Sequence, residues 1–600
     1  MMKRFSWSAR IIVVASALVV ASPVPTAADP IYGITPGNVL IRFDSATPGT
    51  VTTIGTVTGL GPSETIRGID FRPRTGQLFV VTVTTASVIN SIVRSYALNG
   101  ATAQATLVGT TVAGLAGAGD VPTGSDFNPT VDRIRIANTN DENFRVNPNN
   151  GALAGNDTDL TPAATSTIIA AAYDRNFDRQ SAAAIPTTLY VIDRNDSQLA
   201  ILGGLNGNPS PNGGVITDLA PLGFNLNQTN DGGLDISPGR GGQRAFAALT
   251  DAADNLTRLY SISLPTALSP TPVATSIGLI GNGQTEVRSI AIAPLEFKIT
   301  AADAGGWPVV RVFDTLTDDE LVAFLPYEMS FRGGVRAAGA DITGDGIPEI
   351  VTAPGPFGPP DIRIIDISGP FPVLIGSFLA YDPFFVGGVF VAAGDVNGDG
   401  WDDIILAPDA GASPHVRVIS GRTGWDLFSF FAYDPGFAGG VRVAAGDVNV
   451  DGLADIITVP GPGGPPHVRV FSGAGLVELF GFFAYAPSFV GGVYVAAGDV
   501  SGDGRADIIT SPGAGGGPHV KAFSGLNLAE VASFFAYSPS FTGGVRVAAG
   551  DWNNDGRMDI ITAPGPGGGP HVRIFSGTTL AELIGFFTFT PTFAGGVFVW

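Results

Sequence analysis

The sequence predicts an all-β protein made of repeated four-stranded units. Three observations lead there. Glycine and proline number 82 and 45 among 600 residues, and both interrupt helices. Hydrophobic residues make up 44 % and charged ones only 14 %, too apolar a balance for a disordered chain. Short runs rich in Val, Ile and Phe recur between Gly, Pro and Asp, the pattern of strands joined by turns.

The formal net charge is −21 and the pI is near 4.5. That balance opposes binding to nucleic acid or to anionic membranes and favours cations as partners. Cysteine is absent. Disulfides, Cys-ligated zinc, iron–sulfur clusters, a thiol nucleophile and a lipoprotein-type anchor are therefore excluded.

Residues 1–28 have the order of a secretory signal peptide. Lys3, Arg4 and Arg10 precede the apolar run Ile11 to Ala21, and Thr26 and Ala28 suit the −3 and −1 cleavage positions. The run gives only ~16 Å of helix against a membrane core of ~30 Å, so it is too short for an anchor. Removing it takes the net charge from −21 to −24, because it carries three basic residues. The expected product is a secreted or extracytoplasmic protein, extracellular or periplasmic. It does not insert into a membrane after cleavage, and a monomer is expected.

Residues 295–600 repeat. Phe385-Val-Gly-Gly-Val-Phe-Val-Ala-Ala-Gly-Asp395 returns as Phe437 to Asp447, Phe489 to Asp499 and Phe541 to Asp551, with a looser copy from Phe331 to Asp341. The closing aspartates are spaced by 54, 52, 52 and 52 residues. One period reads as four strands, Val441–Ala445, Asp455–Val459, His467–Ser472 and Leu476–Ala484. Four short strands repeated in this way are the sequence form of a β-propeller blade. The half opens at Phe297-Lys-Ile-Thr, which aligns with a second strand, and closes at Phe593 to Trp600, which is a first strand only. Complementary ends imply closure by one shared blade, for six in all.

Residues 29–294 carry weaker repeats. Gly68-Ile-Asp-Phe-Arg-Pro73, Gly124-Ser-Asp-Phe-Asn-Pro129 and Gly233-Leu-Asp-Ile-Ser-Pro238 correspond. Ala171-Ala-Tyr-Asp-Arg175 is a degenerate copy, and Arg288 to Pro294 ends where a partner strand is due. Ile31-Tyr-Gly-Ile-Thr supplies that partner, so closure by the termini and about five blades are expected. The strand–turn pattern Phe144-Arg-Val-Asn-Pro-Asn-Asn-Gly151 resembles the repeats of secreted bacterial propellers of the YVTN or quinoprotein-like kind, and an uncharacterised secreted domain family. The predicted architecture is two β-propellers in tandem behind a signal peptide.

The chemistry lies between the first and second strands of the second half. Asp395-Val-Asn397-Gly-Asp399-Gly400-Trp-Asp-Asp403 has oxygen side chains at positions 1, 3, 5 and 9, with Gly at 6. Its equivalents are Asp447, Asn449, Asp451 and Asp455; Asp499, Ser501, Asp503 and Asp507; and Asp551, Asn553, Asp555 and Asp559. The most divergent set is Asp341, Thr343, Asp345 and Glu349. The carbonyl of position 7 can add a ligand. Hard oxygen donors without nitrogen or sulfur suit Ca²⁺, up to five ions. The last carboxylate comes at position 9 and strands flank the loop, so it is not an EF-hand.

The loop, the Phe-x-Gly-Gly start and Ile561-Thr-Ala-Pro-Gly-Pro-Gly-Gly-Gly-Pro-His-Val-Arg-Ile-Phe575 resemble FG-GAP repeats of the integrin α-chain kind, also called VCBS-type repeats. The resemblance covers about 297–600. It implies Ca²⁺ held in loops of successive blades. Thr343 and Ser501 are weaker ligands than the family pattern supplies, and adhesion does not follow from fold alone.

His415, His467, His519 and His571 occupy one repeat position and read as strand-entry residues or as a ring for a metal or anion. Arg417, Arg469, Lys521 and Arg573 share their strand face, a basic band suited to an anion or glycan. Phe431, Phe483, Phe535, Tyr433, Tyr485 and Tyr537 read as packing between blades. Asn156, Asn195, Asn227 and Asn255 begin glycosylation triplets. No nucleophile, zinc-hydrolase or phosphate-loop motif is present. The sequence therefore predicts a non-catalytic, exported calcium-binding protein that binds an extracellular protein or glycan. The alternatives are a lectin-like propeller, or a polysaccharide-degrading enzyme with its catalytic carboxylates in the N-terminal half.

Overall fold

In a computed structural model, each 52-residue period folds into one four-stranded antiparallel sheet. The described residues are 29–600 apart from 74, 88–89, 114–122, 163–166, 177–185, 239–242, 284, 296, 316–319, 370 and 554. The expected signal peptide, 1–28, lies outside them. The chain divides into two compact units, one within 29–294 and the other formed by Leu295–Asn553 and Arg557–Trp600.

One sheet of the second unit shows why the sequence folds this way. Its strands are Val441–Gly446, Asp455–Pro460, His467–Phe471 and Glu478–Phe483, paired in that order. The second strand, Asp-Ile-Ile-Thr-Val-Pro, is buried throughout, because both of its faces meet neighbouring sheets. The fourth alternates exposed and half-buried residues, as an outer strand does. The Gly-Gly before the first strand is a steric requirement. A Cβ on Gly439 would sit 2.1 Å from the Pro462 carbonyl oxygen, and Gly440 has φ +83°.

Among the described residues the second unit forms six such sheets. Five are consecutive in sequence. The sixth joins Glu320–Phe324, Val310–Asp314 and Phe297–Ala302 to Val597–Val599 from the C-terminus. Thr300 pairs with Val599 and Ala302 with Val597. The first strands touch in a closed cycle, from Val335–Ala340 through Val389–Gly394, Val441–Gly446, Val493–Gly498 and Val545–Gly550 to Val597–Val599 and back.

Among the described residues the first unit forms five four-stranded sheets, again antiparallel. Its innermost strands are Ile66–Phe71, Thr123–Asn128, Ile168–Tyr173, Gly233–Ser237 and Ser289–Ile292, and they too touch in a closed cycle. The fifth sheet pairs Ser289–Ile292 with Pro30–Ile34, so both ends of the unit meet in it. Among the described residues there is no α-helix, only three short 3₁₀ segments. No described helix is long and apolar enough to cross a membrane. Valine and isoleucine side chains between adjacent sheets form the core, each contributing about 1.5–3 kcal/mol by leaving water.

Candidate functional site

Each of the five acidic loops connects the first and second strands of its sheet, the place expected from sequence. Backbone amides preorganise the loop of Asp395. Its Oδ1 accepts from the amides of Gly398 at 2.7 Å and Asp399 at 3.1 Å, and its Oδ2 from Gly400 at 2.8 Å. Asp341 and Asp499 repeat the arrangement. Asp447 accepts from the amides of Asp451 and Gly452. At position 9, Asp403 accepts from the amides of Val396, Asn397 and Gly421 at 3.0, 3.2 and 3.2 Å. Asp559 likewise accepts from Trp552, Asn553 and Gly577.

The position-9 side chains are the buried ends of the loops. Glu349 is 1 % exposed, and Asp403, Asp455, Asp507 and Asp559 are 0 %. Burial, reinforced by the carboxylates at positions 1 and 5, pushes Glu349 and Asp403 up to about 8 and Asp455 to about 6. Asp507 is raised by burial and by Asp499 at position 1. Among the described residues no basic side chain pairs with these four. At position 3 the Asn397 amide nitrogen donates to Asp403 at 3.1 Å and the Thr343 hydroxyl to Glu349 at 3.0 Å. Among the described residues no loop brings oxygens of its three carboxylates within 4.8 Å of one another. The donor set fits a hard cation chemically, and the loops are shaped but open.

The histidines are held apart, each on its own sheet. Each ring lies against the phenylalanine on the neighbouring strand, with centroids 5.1, 4.9, 4.8 and 4.7 Å apart along the series. His415 and His519 Nε2 also meet Ser429 and Ser533 hydroxyls at 2.8 and 2.9 Å. Burial, then the neighbouring cation, lowers all four histidines. The expected basic band is neutralised strand by strand. Arg417 pairs with Asp426, Arg469 with Glu478, Lys521 with Glu530 and Arg573 with Glu582. The aromatic expectation holds for the tyrosines and fails for the phenylalanines. Phe431, Phe483 and Phe535 are 49, 48 and 52 % exposed. Strand alternation places the preceding residue inward instead, so Phe430 meets Phe471 of the next sheet at 5.0 Å.

Two constellations escaped the sequence reading. Arg336, Arg442 and Arg546 alternate with Phe390, Tyr494 and Phe598 at one position of the six first strands. Each guanidinium lies between 4.2 and 5.4 Å from the two rings beside it. Together they line a cavity of about 370 Å³ with the alanines of the same strands. The signal was the alternation Arg–Phe–Arg–Tyr–Arg–Phe after Gly-Gly-Val. The second constellation is Asp70, Asp126 and Asp235, from the three clearest repeats of the first unit. Their carboxylates lie within 4.8 Å of one another. Each caps the next strand of the ring. Asp70 accepts from Phe127 N at 2.8 Å, Asp126 from Tyr173 N at 2.6 Å, and Asp235 from Ile292 N at 2.5 Å. Burial raises Asp70 to about 6 and holds Asp126 and Asp235 well above the usual carboxylate range.

Residues 39–291 match the family described as "Domain of unknown function (DUF4394)". The match ends before the loop-bearing half begins. No curated protein matches the chain. Among solved structures, similarity is found to one described as "Structure of Dos1 propeller", at 9 % identity and TM-score 0.29, over 72 % of this chain and 85 % of that one. A rhamnogalacturonan lyase PL11 of Bacillus licheniformis shows 16 % identity and TM-score 0.28, over 63 % and 74 % of the two chains. Raptor of Chaetomium thermophilum shows 14 % identity and TM-score 0.32, over 49 % of this chain and 24 % of that one.

Proposed function

We propose that this protein is an exported, non-catalytic pair of tandem β-propellers, with five blades in 29–294 and six in 295–600. The second propeller binds up to five Ca²⁺ in its FG-GAP-like loops, and the protein works in binding or adhesion outside the cytoplasm. One observation carries the calcium reading. Five equivalent loops each end in a fully buried position-9 carboxylate, and in four of them no described basic side chain stands beside it. A buried carboxylate facing two others is costly unless a cation offsets it. Positions 1, 3, 5 and 9 would hold the ion, whose charge would offset the buried carboxylate. Calcium stabilises the folded state rather than reacting.

Binding only to the folded form contributes about 2.7 kcal/mol per site at a hundredfold excess over Kd. Calorimetry of the full chain in calcium and in chelator tests the reading. A higher midpoint in calcium, lost stepwise with Asp399→Ala and Asp451→Ala, is expected. An unchanged midpoint for the wild type defeats it.

A second reading, glycan binding, rests on the repeated ledge of half-exposed phenylalanines stacked on histidines at His415, His467, His519 and His571. Flat, partly exposed rings suit the apolar face of a sugar. A glycan array separates the readings: binding abolished by Phe483→Ala and Phe535→Ala favours the lectin, and silence favours a protein partner.

A further inference from the structure

Three aspartates of the first unit have no part in that reading. We propose that Asp70, Asp126 and Asp235 hold one hard divalent cation, Ca²⁺, at the centre of the five-sheet ring in 29–294. The site is separate from the acidic loops and does not depend on them.

The placement follows from the topology. Asp70, Asp126 and Asp235 stand at the same position of the innermost strands Ile66–Phe71, Thr123–Asn128 and Gly233–Ser237. In the cyclic order of contacts, Gly233–Ser237 neighbours Ile168–Tyr173 and Ser289–Ile292, so it is next to neither of the other two. Carboxylates from non-neighbouring strands come within 4.8 Å only by converging on the ring's centre. The remaining two strands carry Ala172 and Ala291 at this position, so only methyl groups stand there.

The cluster lacks what would otherwise balance it. Asp70, Asp126 and Asp235 are 6, 2 and 2 % exposed. Backbone amides donate to all three, Asp70 and Asp126 also meet side chain to side chain, and among the described residues no Arg, Lys or His pairs with any of them. Asp70 Oδ1 is fully buried and has no hydrogen-bond donor among the described residues, and Asp70 belongs to the converging set. An unpartnered carboxylate oxygen beside two more carboxylates is an acceptor awaiting a cation.

Size and hydration select the ion. Three oxygens mutually within 4.8 Å share a point no more than about 2.8 Å from each, close to the 2.3–2.6 Å of Ca–O bonds. Mg²⁺ wants about 2.0–2.1 Å and keeps several waters, which suits a buried ring centre poorly. An all-oxygen set gives transition metals no nitrogen or sulfur.

The backbone bonds also make the site testable. Asn in place of Asp keeps a side-chain oxygen for the Phe127 and Tyr173 amides and removes the charge. Equilibrium dialysis with radioactive calcium counts ions on three full-length chains: wild type, Asp70→Asn with Asp126→Asn, and a chain with Asp341, Asp395, Asp447, Asp499 and Asp551 all changed to Asn. The expected results are the loss of one ion from the double variant and the retention of one by the loop variant. An unchanged count in a folded double variant overturns the proposal. If the loops bind no calcium, the wild type still holds one ion, so the two readings fail separately. Should the variants misfold, crystals of the wild type grown in calcium decide the matter. An anomalous peak among the three carboxylates is expected, and its absence overturns the site.

Discussion

The hydroxyl of Tyr433 lies 2.7 Å from the backbone carbonyl oxygen of His467, on the third strand of the following sheet. It also lies 2.9 Å from the Thr458 carbonyl, on that sheet's second strand. Tyr381, Tyr485 and Tyr537 repeat the contact with His415, His519 and His571 at 2.8 Å. Burial pushes the Tyr433 phenol up, so it stays a donor at any physiological pH. The outer strand of one sheet is thus fastened to the middle of the next. Tyr433→Phe removes the donor and leaves the carbonyls, at a cost of about 1 kcal/mol. Calorimetry in the presence of calcium should show that loss, and a neutral result would make the contact incidental.

Val450 stands where three other loops have glycine. Its φ is +62°, beside +73° for Gly344, +72° for Gly398 and +75° for Gly502. A β-branched residue is strained in this region by about 1–2 kcal/mol. The side chain is 44 % exposed, so little packing is lost with it. Val450→Gly should raise stability by roughly 1 kcal/mol despite the added freedom of the unfolded chain. Chemical denaturation of the two proteins under one calcium concentration provides the comparison.

The three arginines of the second unit's ring are not equivalent. Arg336 pairs with Asp409 at 2.5 Å and Arg546 pairs with Asp303. Arg442 has no carboxylate partner among the described residues: its Nη1 donates to the carbonyls of Pro460 and Val493 at 3.3 and 3.2 Å. The reason is legible in the repeat, because Gly513 occupies the place of Asp303 and Asp409. Arg336→Met strands a partly buried carboxylate, whereas Arg442→Met strands none. The first should be more destabilising than the second by about 2 kcal/mol, although both lose the same ring contacts. Equal costs would mean that the acidic partners contribute nothing.

Glu142 supplies a pH test away from any candidate ligand. Burial raises it to about 7, and Asp159 and Asp141 add to the effect. A raised carboxyl favours the fold while protonated. Its contribution is complete below the ordinary value near 4.5 and is lost as the pH rises through about 7. Glu142→Gln should therefore match the wild type at about pH 4 and exceed it at about pH 8, by less than about 1 kcal/mol, because solvent reaches the side chain. Thermal midpoints across that range would show the divergence, and parallel curves would refute it.

Local chemistry wrote much of this into the chain. The 52-residue spacing, the Gly-Gly turn and the strand at 597–599 announced the repeated sheet and the return of the C-terminus, because turns and alternation act over a few residues. The acidic loops were legible for the same reason: all their donors lie within nine positions. What only the tertiary structure decided involves residues from different sheets. Phe430 rather than Phe431 faces the neighbouring sheet, since register and twist choose which face is covered. The basic side chains beside the histidines are matched by acids nine residues away on the adjacent strand. Asp70, Asp126 and Asp235 looked like ordinary members of three weak repeats. Closing five sheets into a ring brings them, over as many as 165 residues of sequence, within 4.8 Å of one another. Convergence of that kind belongs to the closed ring, because no short-range pattern records which strands meet at its centre.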